Sequence, residues 1–214
     1  MQTANLDNKQ IARARIAVYR FLIGALDQPS KQQHEWMQGN GFRGPLKELC
    51  ELFGVEPPET ELVPGSFAEH ESRYLACFEV GLPEPPVVLL ASHYNRREPT
   101  PRIIHEHVLL YRRFGVQVPP GSDEPADHLL GQLAFLLRLD ELLESAVIEP
   151  RSILHARHDF LSRHLGWVSL ALATAQDRGL PPLYLTLFRV LAAALEQDLQ
   201  LTGLALADLP KENA

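Results

Sequence analysis

Apolar and polar residues alternate along most of this chain with the 3.6-residue period of an α-helix. The first run of this kind predicts a helix over about residues 8–26, whose other face carries Arg13, Arg15 and Arg20. A second helical region starts near Ser30 and is interrupted at Gly39. The pattern therefore predicts helical structure from the start of the chain onward.

The same period recurs further along the chain. It predicts a third helix from about Gly65 to Val80 and a fourth that opens with Thr100 as cap and Pro101 as first position and ends at Gly115. Three more helices are predicted after Pro150, after Gly166 and from about Pro182 to Leu201. The first of these three places Arg157 and His164 within its apolar stripe.

The stretch over residues 121–144 has the pattern of a central helix. Ser122 or Asp123 can cap it, Pro125 fits a first helical position, and Glu124 adds negative charge beside the free N–H groups of the first turn. Leucine and phenylalanine then cover nearly every side of the predicted helix, which is typical of a helix packed on several faces.

Residues 81–101 break the helical pattern with five prolines, and a loop of this length in a compact domain is usually functional or mobile. Its only strand-like run is Val87 to Leu90, which is too isolated to indicate a sheet. We therefore predict an all-α fold, a helical bundle of about eight helices in one domain over residues 1–214. A division into lobes 1–80 and 100–205 joined by loop 81–99 is the alternative.

Composition narrows the classes of function. The 214 residues carry a formal net charge of −7, whereas a general nucleic-acid binder needs a basic surface. The chain starts without the basic and apolar regions of a signal peptide, and it has no run of roughly 18 apolar residues that could span a membrane. We expect a cytoplasmic protein without stable membrane insertion, whose acidic character suits a basic peptide partner.

Two local patterns resemble known sites but lack their context. Residues 39–44 read G-x-G-x-x-G, yet a polar helix-like segment precedes them instead of the buried strand that a dinucleotide site needs, so we interpret them as a loop between helices. Cys50 and Cys77 fall in apolar helical patterns and form no CxxC motif. They are expected to be reduced core thiols.

Nine histidines raise the possibility of a metal site. His105 and His107 are two residues apart and would lie on different helix faces, whereas His155 and His158 are three apart and could supply two ligands. A tetrahedral site would need two further ligands that the sequence does not indicate. A metal-dependent helical enzyme that uses His155 and His158 is therefore an alternative, and our prediction is that the protein has no cofactor.

Two further groups of residues are candidates for binding. Glu124, Asp127 and His128 crowd the start of the central helix, where the acids can either complement the helix dipole or form a charged rim for a ligand. Tyr74 and Phe78 are four residues apart and precede the proline-rich loop. Such aromatics usually belong to a core, but beside a loop they can also capture an apolar peptide.

Taken together, four segments of the chain resemble the TorD/DmsD/NarJ family of redox-enzyme maturation chaperones. Residues 124–128 match the E-P-x-D-H signature of the family, and residues 74–78 are similar to its aromatic-x-x-Leu-Phe motif, with cysteine at the leucine position. The loop is similar to the pattern Pro-Pro…Glu-Ser-x-Tyr, with alanine at the glutamate position. Residues 160–167 resemble F-x-x-x-H-L-x-x-W, with the tryptophan one place early.

This resemblance implies an all-helical chaperone and not an enzyme. It would bind the twin-arginine leader and the apo form of a molybdopterin-dependent oxidoreductase subunit, assist cofactor insertion and delay export, as a monomer or a domain-swapped dimer. The peptide-binding residues that it implies are Tyr74, Cys77, Phe78, Pro85, Pro86, Ser92, Tyr94, Glu124, Pro125, Asp127 and His128. A structural assembly subunit of a redox complex is the remaining alternative.

Overall fold

The computed structural model describes residues 8–58, 63–116, 124–145 and 148–209. Within these residues the chain is helical and forms no strand, which confirms the all-α prediction. The helices are α1 Asn8–Leu26, α2 Lys31–Gln38, α3 Asn40–Phe53, α4 Phe67–Phe78, α5 Ala91–Tyr94, α6 Thr100–Arg113, α7 Leu129–Ser145, α8 Pro150–His164, α9 Val168–Asp177 and α10 Pro182–Ala207.

Local capping sets several of these helix boundaries. Ser30 forms a capping box with Gln33 at the start of α2, and Ser66 forms one at the start of α4. Gly54 ends α3 in the left-handed conformation, which only glycine adopts without strain. The bounds predicted for α1 are confirmed, and α6 starts at Thr100, although that residue is helical instead of being the cap.

The interpretation of residues 39–44 as a loop is wrong. Gly39 alone interrupts the helices, because α3 begins at Asn40 and continues through Pro45. Pro45 lacks the N–H that would otherwise donate to the carbonyl of residue 41, so α3 continues through it with one backbone hydrogen bond fewer. Trp36 packs edge-on against Phe42, with ring centroids 5.1 Å apart, so α2 and the start of α3 form one aromatic corner.

Helix α7 is central, as predicted, but it begins later. Its first residue is Leu129, and Pro125 lies in the turn ahead of it; the predicted caps Ser122 and Asp123 lie outside the described residues. The backbone ahead of Leu129 bonds to another segment instead of continuing the helix. Ten of the seventeen residues of α7 are buried, which confirms that it packs on several faces.

Helix α1 packs along α7, and α10 packs against α8, α9 and α1. One buried core extends from Tyr19 in α1 to Leu195 in α10 and includes residues on both sides of loop 81–99. A shared core is what a single domain requires. The division of the chain into domains stays a prediction.

A cluster of charged side chains lies within this helical packing. The guanidinium of Arg157 is fully buried between the carboxylates of Asp140, 3.1 Å away, and Asp198, 2.5 Å away. Arg15 is also buried, contrary to its predicted position on the outer face of α1, and its Nε lies 2.8 Å from Asp198. The four charges sum to zero and join α1, α7, α8 and α10.

No helix in the described part of the chain is long and apolar enough to cross a membrane.

Candidate functional site

The proline-rich segment 81–95 crosses the N-terminal end of α7, and we call these residues the strap. Leu90 of the strap and His128 form an isolated antiparallel bridge. The Ala91 amide donates to the Asp127 carbonyl at 3.1 Å, and the Leu129 amide donates to the Leu89 carbonyl at 2.9 Å. These bonds explain the late start of α7, because residues 127–129 pair with the strap.

The side chain of Asp127 forms a further hydrogen bond with the strap. Its carboxylate is fully buried, and Oδ2 accepts the Ser92 backbone N–H at 2.8 Å within the single-turn helix α5. The other oxygen, Oδ1, has no hydrogen-bond partner among the described residues. Asp127 thus acts as a buried hydrogen-bond acceptor in this conformation. Of its neighbours, Glu124 and Pro125 are exposed and His128 is half-buried. The Nδ1 atom of His128 lies 3.7 Å from Glu124.

The other end of the strap is attached to α4 and α9. The Val87 amide donates to the Cys77 carbonyl at 3.1 Å, at the last turn of α4. Arg178, just after α9, donates to the Pro85 carbonyl and to the Glu84 carboxylate, each at 3.3 Å. Pro85, like Pro86, is half-buried beneath this contact. The strap therefore joins the ends of three helices.

The residues of the aromatic motif belong to the core below the strap. Tyr74, Cys77 and Phe78 are all buried, and the Tyr74 hydroxyl donates to the Leu26 carbonyl at 3.3 Å. Phe78 packs edge-on against Tyr184, with ring centroids 5.0 Å apart. Burial raises the pKa of the Cys77 thiol to about 11, so the thiol stays protonated and unreactive.

Tyr94 connects the strap to a cleft of about 450 Å³. Its ring stacks on Trp167, with centroids 5.2 Å apart and planes 19° apart. His107 and His164 also line this cleft, and their rings meet edge-on with centroids 4.7 Å apart. The cleft thus joins the strap to the His-Leu-x-Trp end of α8.

Gln132 holds these cleft residues in place, and the sequence analysis did not single it out. Its Nε2 donates to His107 Nε2 at 2.7 Å and to the His164 carbonyl at 3.1 Å, while its Oε1 accepts Trp167 Nε1–H at 3.0 Å. His107 Nδ1–H donates to the Ile103 carbonyl at 2.8 Å, which leaves Nε2 free to accept. The available signal was a glutamine among leucines in the first turn of the leucine-rich run 129–143.

The charges around the two sides of the site differ. The rim of the cleft is mixed, with three arginines and two glutamates: Arg97, Arg102, Arg163, Glu98 and Glu106. The charges that act on the Tyr74 hydroxyl are negative, whereas the neighbouring Arg73 acts on the Cys77 thiol. Burial, and then the carboxylates of Glu79, Asp27 and Glu124, raise the pKa of the Tyr74 hydroxyl. The acidic side of the site is therefore where α1 and α4 end and α7 begins.

Buried histidines make the stability of the fold depend on pH. Burial lowers the pKa of His70 to about 4, and the Nδ1 atoms of His70 and His34 lie only 3.2 Å apart. Burial, and then the charges of His107 and Arg163, lower the pKa of His164 to about 4. The unfolded chain takes up these protons near pH 6.5 and the folded chain does not, so stability is complete above pH 6.5 and falls toward pH 4.

We therefore expect the melting temperature to drop between pH 6.5 and pH 4, with about 1.4 kcal/mol lost per pH unit for each histidine that titrates in this range. Circular dichroism melts across this range measure it. The variant His70→Phe should show a shallower drop, whereas replacing the exposed His105 with glutamine controls for the loss of an imidazole. An equal drop in the wild-type protein and in His70→Phe would contradict a buried, neutral His70, because Asp140, whose pKa burial raises to about 7, opposes the drop to the same extent in both proteins.

His155 is exposed and His158 is half-buried on α8. Within the described ranges no group of three or more histidine, cysteine, aspartate or glutamate side chains could hold a metal ion. The structure thus supplies no further ligands for this pair in that part of the chain.

Comparison with known proteins extends these observations. The family model described as "Nitrate reductase delta subunit" matches residues 39–171. The dimethyl sulfide dehydrogenase assembly chaperone protein of Rhodovulum sulfidophilum is 29% identical over 194 residues, covering 84% of this chain and 77% of that relative. The perchlorate reductase assembly chaperone protein of Dechloromonas aromatica (strain RCB) is 27% identical over 178 residues, covering 78% and 79%.

Proposed function

Because the chain belongs to the nitrate reductase delta subunit family, we propose that it binds the twin-arginine leader and the apo form of a molybdopterin-dependent oxidoreductase subunit. The family match and the two relatives confirm the resemblance to maturation chaperones, and they support an assembly chaperone and not an enzyme. Binding would protect the client subunit during cofactor insertion and delay its export. A protein with this role would act in the cytoplasm, and a monomer or a domain-swapped dimer remains our prediction for its assembly.

One observation carries the proposal. The segments that resemble family motifs are far apart in sequence, yet the strap brings them into contact. Ser92 of the strap bonds to Asp127 of the E-P-x-D-H segment, Val87 bonds to Cys77 of the aromatic motif, and Tyr94 stacks on Trp167. Motifs that meet at one place support a shared binding site there.

The chemistry around the strap suits a basic and apolar peptide. The carboxylates of Asp27, Glu79 and Glu124 act on the same hydroxyl of Tyr74, so negative charge concentrates at this end of the bundle. Val80 and Leu82 are large apolar side chains that are mostly exposed beside it, at the start of the strap. Acidic side chains attract arginines over distance, and exposed apolar side chains can contact the apolar part of a leader.

The test is capture of the client from native cytoplasm, with identification by mass spectrometry. Recovery of an oxidoreductase subunit that still carries its leader, and loss of the complex after the leader is deleted, are the expected results. Persistence of the chain in the mature, exported enzyme would instead indicate a structural subunit. Recovery of no leader-bearing protein would contradict the proposal.

Charge reversal at the acidic side tests the proposed position of the leader. We expect Glu124→Lys to weaken binding of the leader peptide about three- to tenfold, since an exposed charge pair contributes up to about 1 kcal/mol and reversal adds repulsion. The binding of the wild-type protein should also weaken with added salt. Fluorescence anisotropy with a labelled leader peptide measures both effects.

Glu196→Lys is the matched control, because it changes the net charge equally at an exposed position of α10. Residue 196 lies about two helical turns beyond Phe188, away from the strap. Equal weakening by both variants would mean that only net charge matters, and would remove Glu124 from the site.

A further inference from the structure

Few residues of the strap are buried. Its apolar anchors are Val87, Leu89 and Ala91, all of which are buried in the same core as Cys77 and Phe78. The remainder of residues 81–95 is half-buried or exposed, and Leu82 is fully exposed. A segment of this kind, held by a few hydrogen bonds and three apolar side chains, belongs to the part of a protein that opens at low cost.

The hydrogen bond between the Ser92 amide and Asp127 leaves one oxygen of the buried Asp127 carboxylate without a partner. A buried carboxylate normally accepts several hydrogen bonds or pairs with a cation, because its desolvation is costly. Asp127 accepts one N–H of Ser92 at Oδ2, its Oδ1 has no hydrogen-bond partner, and no basic side chain pairs with it within the described ranges. Opening the strap would break this single hydrogen bond and expose the carboxylate to water or to a cationic ligand.

We propose that the strap opens as a unit and uncovers the last turn of α4, where the apolar segment of a leader peptide then binds while a leader guanidinium takes the Asp127 carboxylate. The peptide part of this inference rests on the proposed function, whereas the opening itself does not. Val87 leaves the Cys77 carbonyl in this step, and Ser92 leaves Asp127. The buried residues of the aromatic motif thereby become reachable without unfolding of α4.

Cys77 reports this opening directly, because the strap is bonded to its own carbonyl. Cys50, which is buried in α3, serves as an internal reference for global unfolding. The experiment follows labelling of both thiols by a thiol reagent in the native protein, with the sites resolved by mass spectrometry. We expect Asp127→Ala to raise the labelling rate of Cys77 at least tenfold and to leave that of Cys50 within twofold.

Ser92→Ala is the matched control, because it removes the hydroxyl but keeps the backbone N–H that Asp127 accepts. It should leave the labelling rate of Cys77 within twofold. If Asp127→Ala does not fold, Arg178→Ala removes the exposed contacts at the other end of the strap, and a rise of about threefold at Cys77 alone is expected. A parallel rise at both cysteines, or no rise at Cys77, would overturn the proposal.

A second measurement uses a synthetic peptide with two consecutive arginines ahead of a leucine-rich segment. If this peptide displaces the strap, hydrogen exchange at the Val87, Ala91 and Ser92 amides should become at least tenfold faster on binding. A peptide that binds while these amides exchange as before, or more slowly, overturns the strap proposal and leaves the proposed function standing. A peptide that does not bind contradicts leader binding itself, and the labelling experiment then decides on the opening alone.

Discussion

Replacing Arg157 with alanine is expected to lower the free energy of unfolding by about 3–5 kcal/mol, the usual cost of breaking a buried ion pair from one side. The guanidinium of Arg157 lies between Asp140 and Asp198 and also donates to the Leu136 carbonyl at 3.0 Å. Without it, Arg15 alone must balance two buried carboxylates. The variant also leaves a void where a fully buried side chain stood.

Denaturant unfolding followed by circular dichroism measures this effect. The control is Arg163→Ala on the same helix, whose side chain is mostly exposed and pairs with Asp159 at 3.2 Å; it should cost less than about 1 kcal/mol. A double variant, Arg157→Met with Asp198→Leu, removes one charge of each sign and should be more stable than Arg157→Met alone. A loss below about 1 kcal/mol for Arg157→Ala would mean that water reaches the cluster.

The second large effect is expected from Gln132→Leu, which keeps the volume of the side chain but removes its polar atoms. His107 Nε2, the His164 carbonyl and Trp167 Nε1 would each lose a partner. A buried polar group left unpaired costs about 1–3 kcal/mol, so the total for these three groups should be at least about 3 kcal/mol. Because all three of these residues line the cleft, the Tyr94–Trp167 stack should loosen as well.

Two measurements distinguish the loss of stability in Gln132→Leu from the loosening of the Tyr94–Trp167 stack. Denaturant unfolding reports the loss of stability, and tryptophan emission of the native state reports a change around Trp167. Gln176→Leu makes the same replacement at an exposed position of α9 and should change neither. Wild-type stability in Gln132→Leu would contradict the hydrogen bonds assigned to this side chain.

Local signals in the sequence predicted the helices whose ends depend on their own residues. The apolar period gave both ends of α1, and the predicted start of α2 near Ser30 is confirmed. The start of α7 was missed because Pro125 fits a first helical position just as well as it fits a turn, and the choice depends on hydrogen bonds to the strap. Such bonds join residues about 35 positions apart, and periodicity carries no information about them.

The candidate site was also predicted only in part. The burial of Tyr74, Cys77 and Phe78 agrees with their expected place in a core, but the burial of Asp127 was not predicted, because it depends on which segments meet. Asp127 was expected at a charged rim and instead accepts a hydrogen bond inside the strap junction. Arg15 was placed on an outer face, since an arginine in an amphipathic helix is usually solvated, and only the partners Asp140 and Asp198 explain its burial.

The charge cluster also affects the order in which the chain can complete its fold during synthesis. Arg15 leaves the ribosome first, Asp140 and Arg157 follow, and these three together carry one excess positive charge. The helix bearing Asp198 arrives last and neutralises them. Until then, burial of the two arginines leaves a positive charge without a partner and adds little stability to the core. The chain therefore completes its own folding only after α10 has been made.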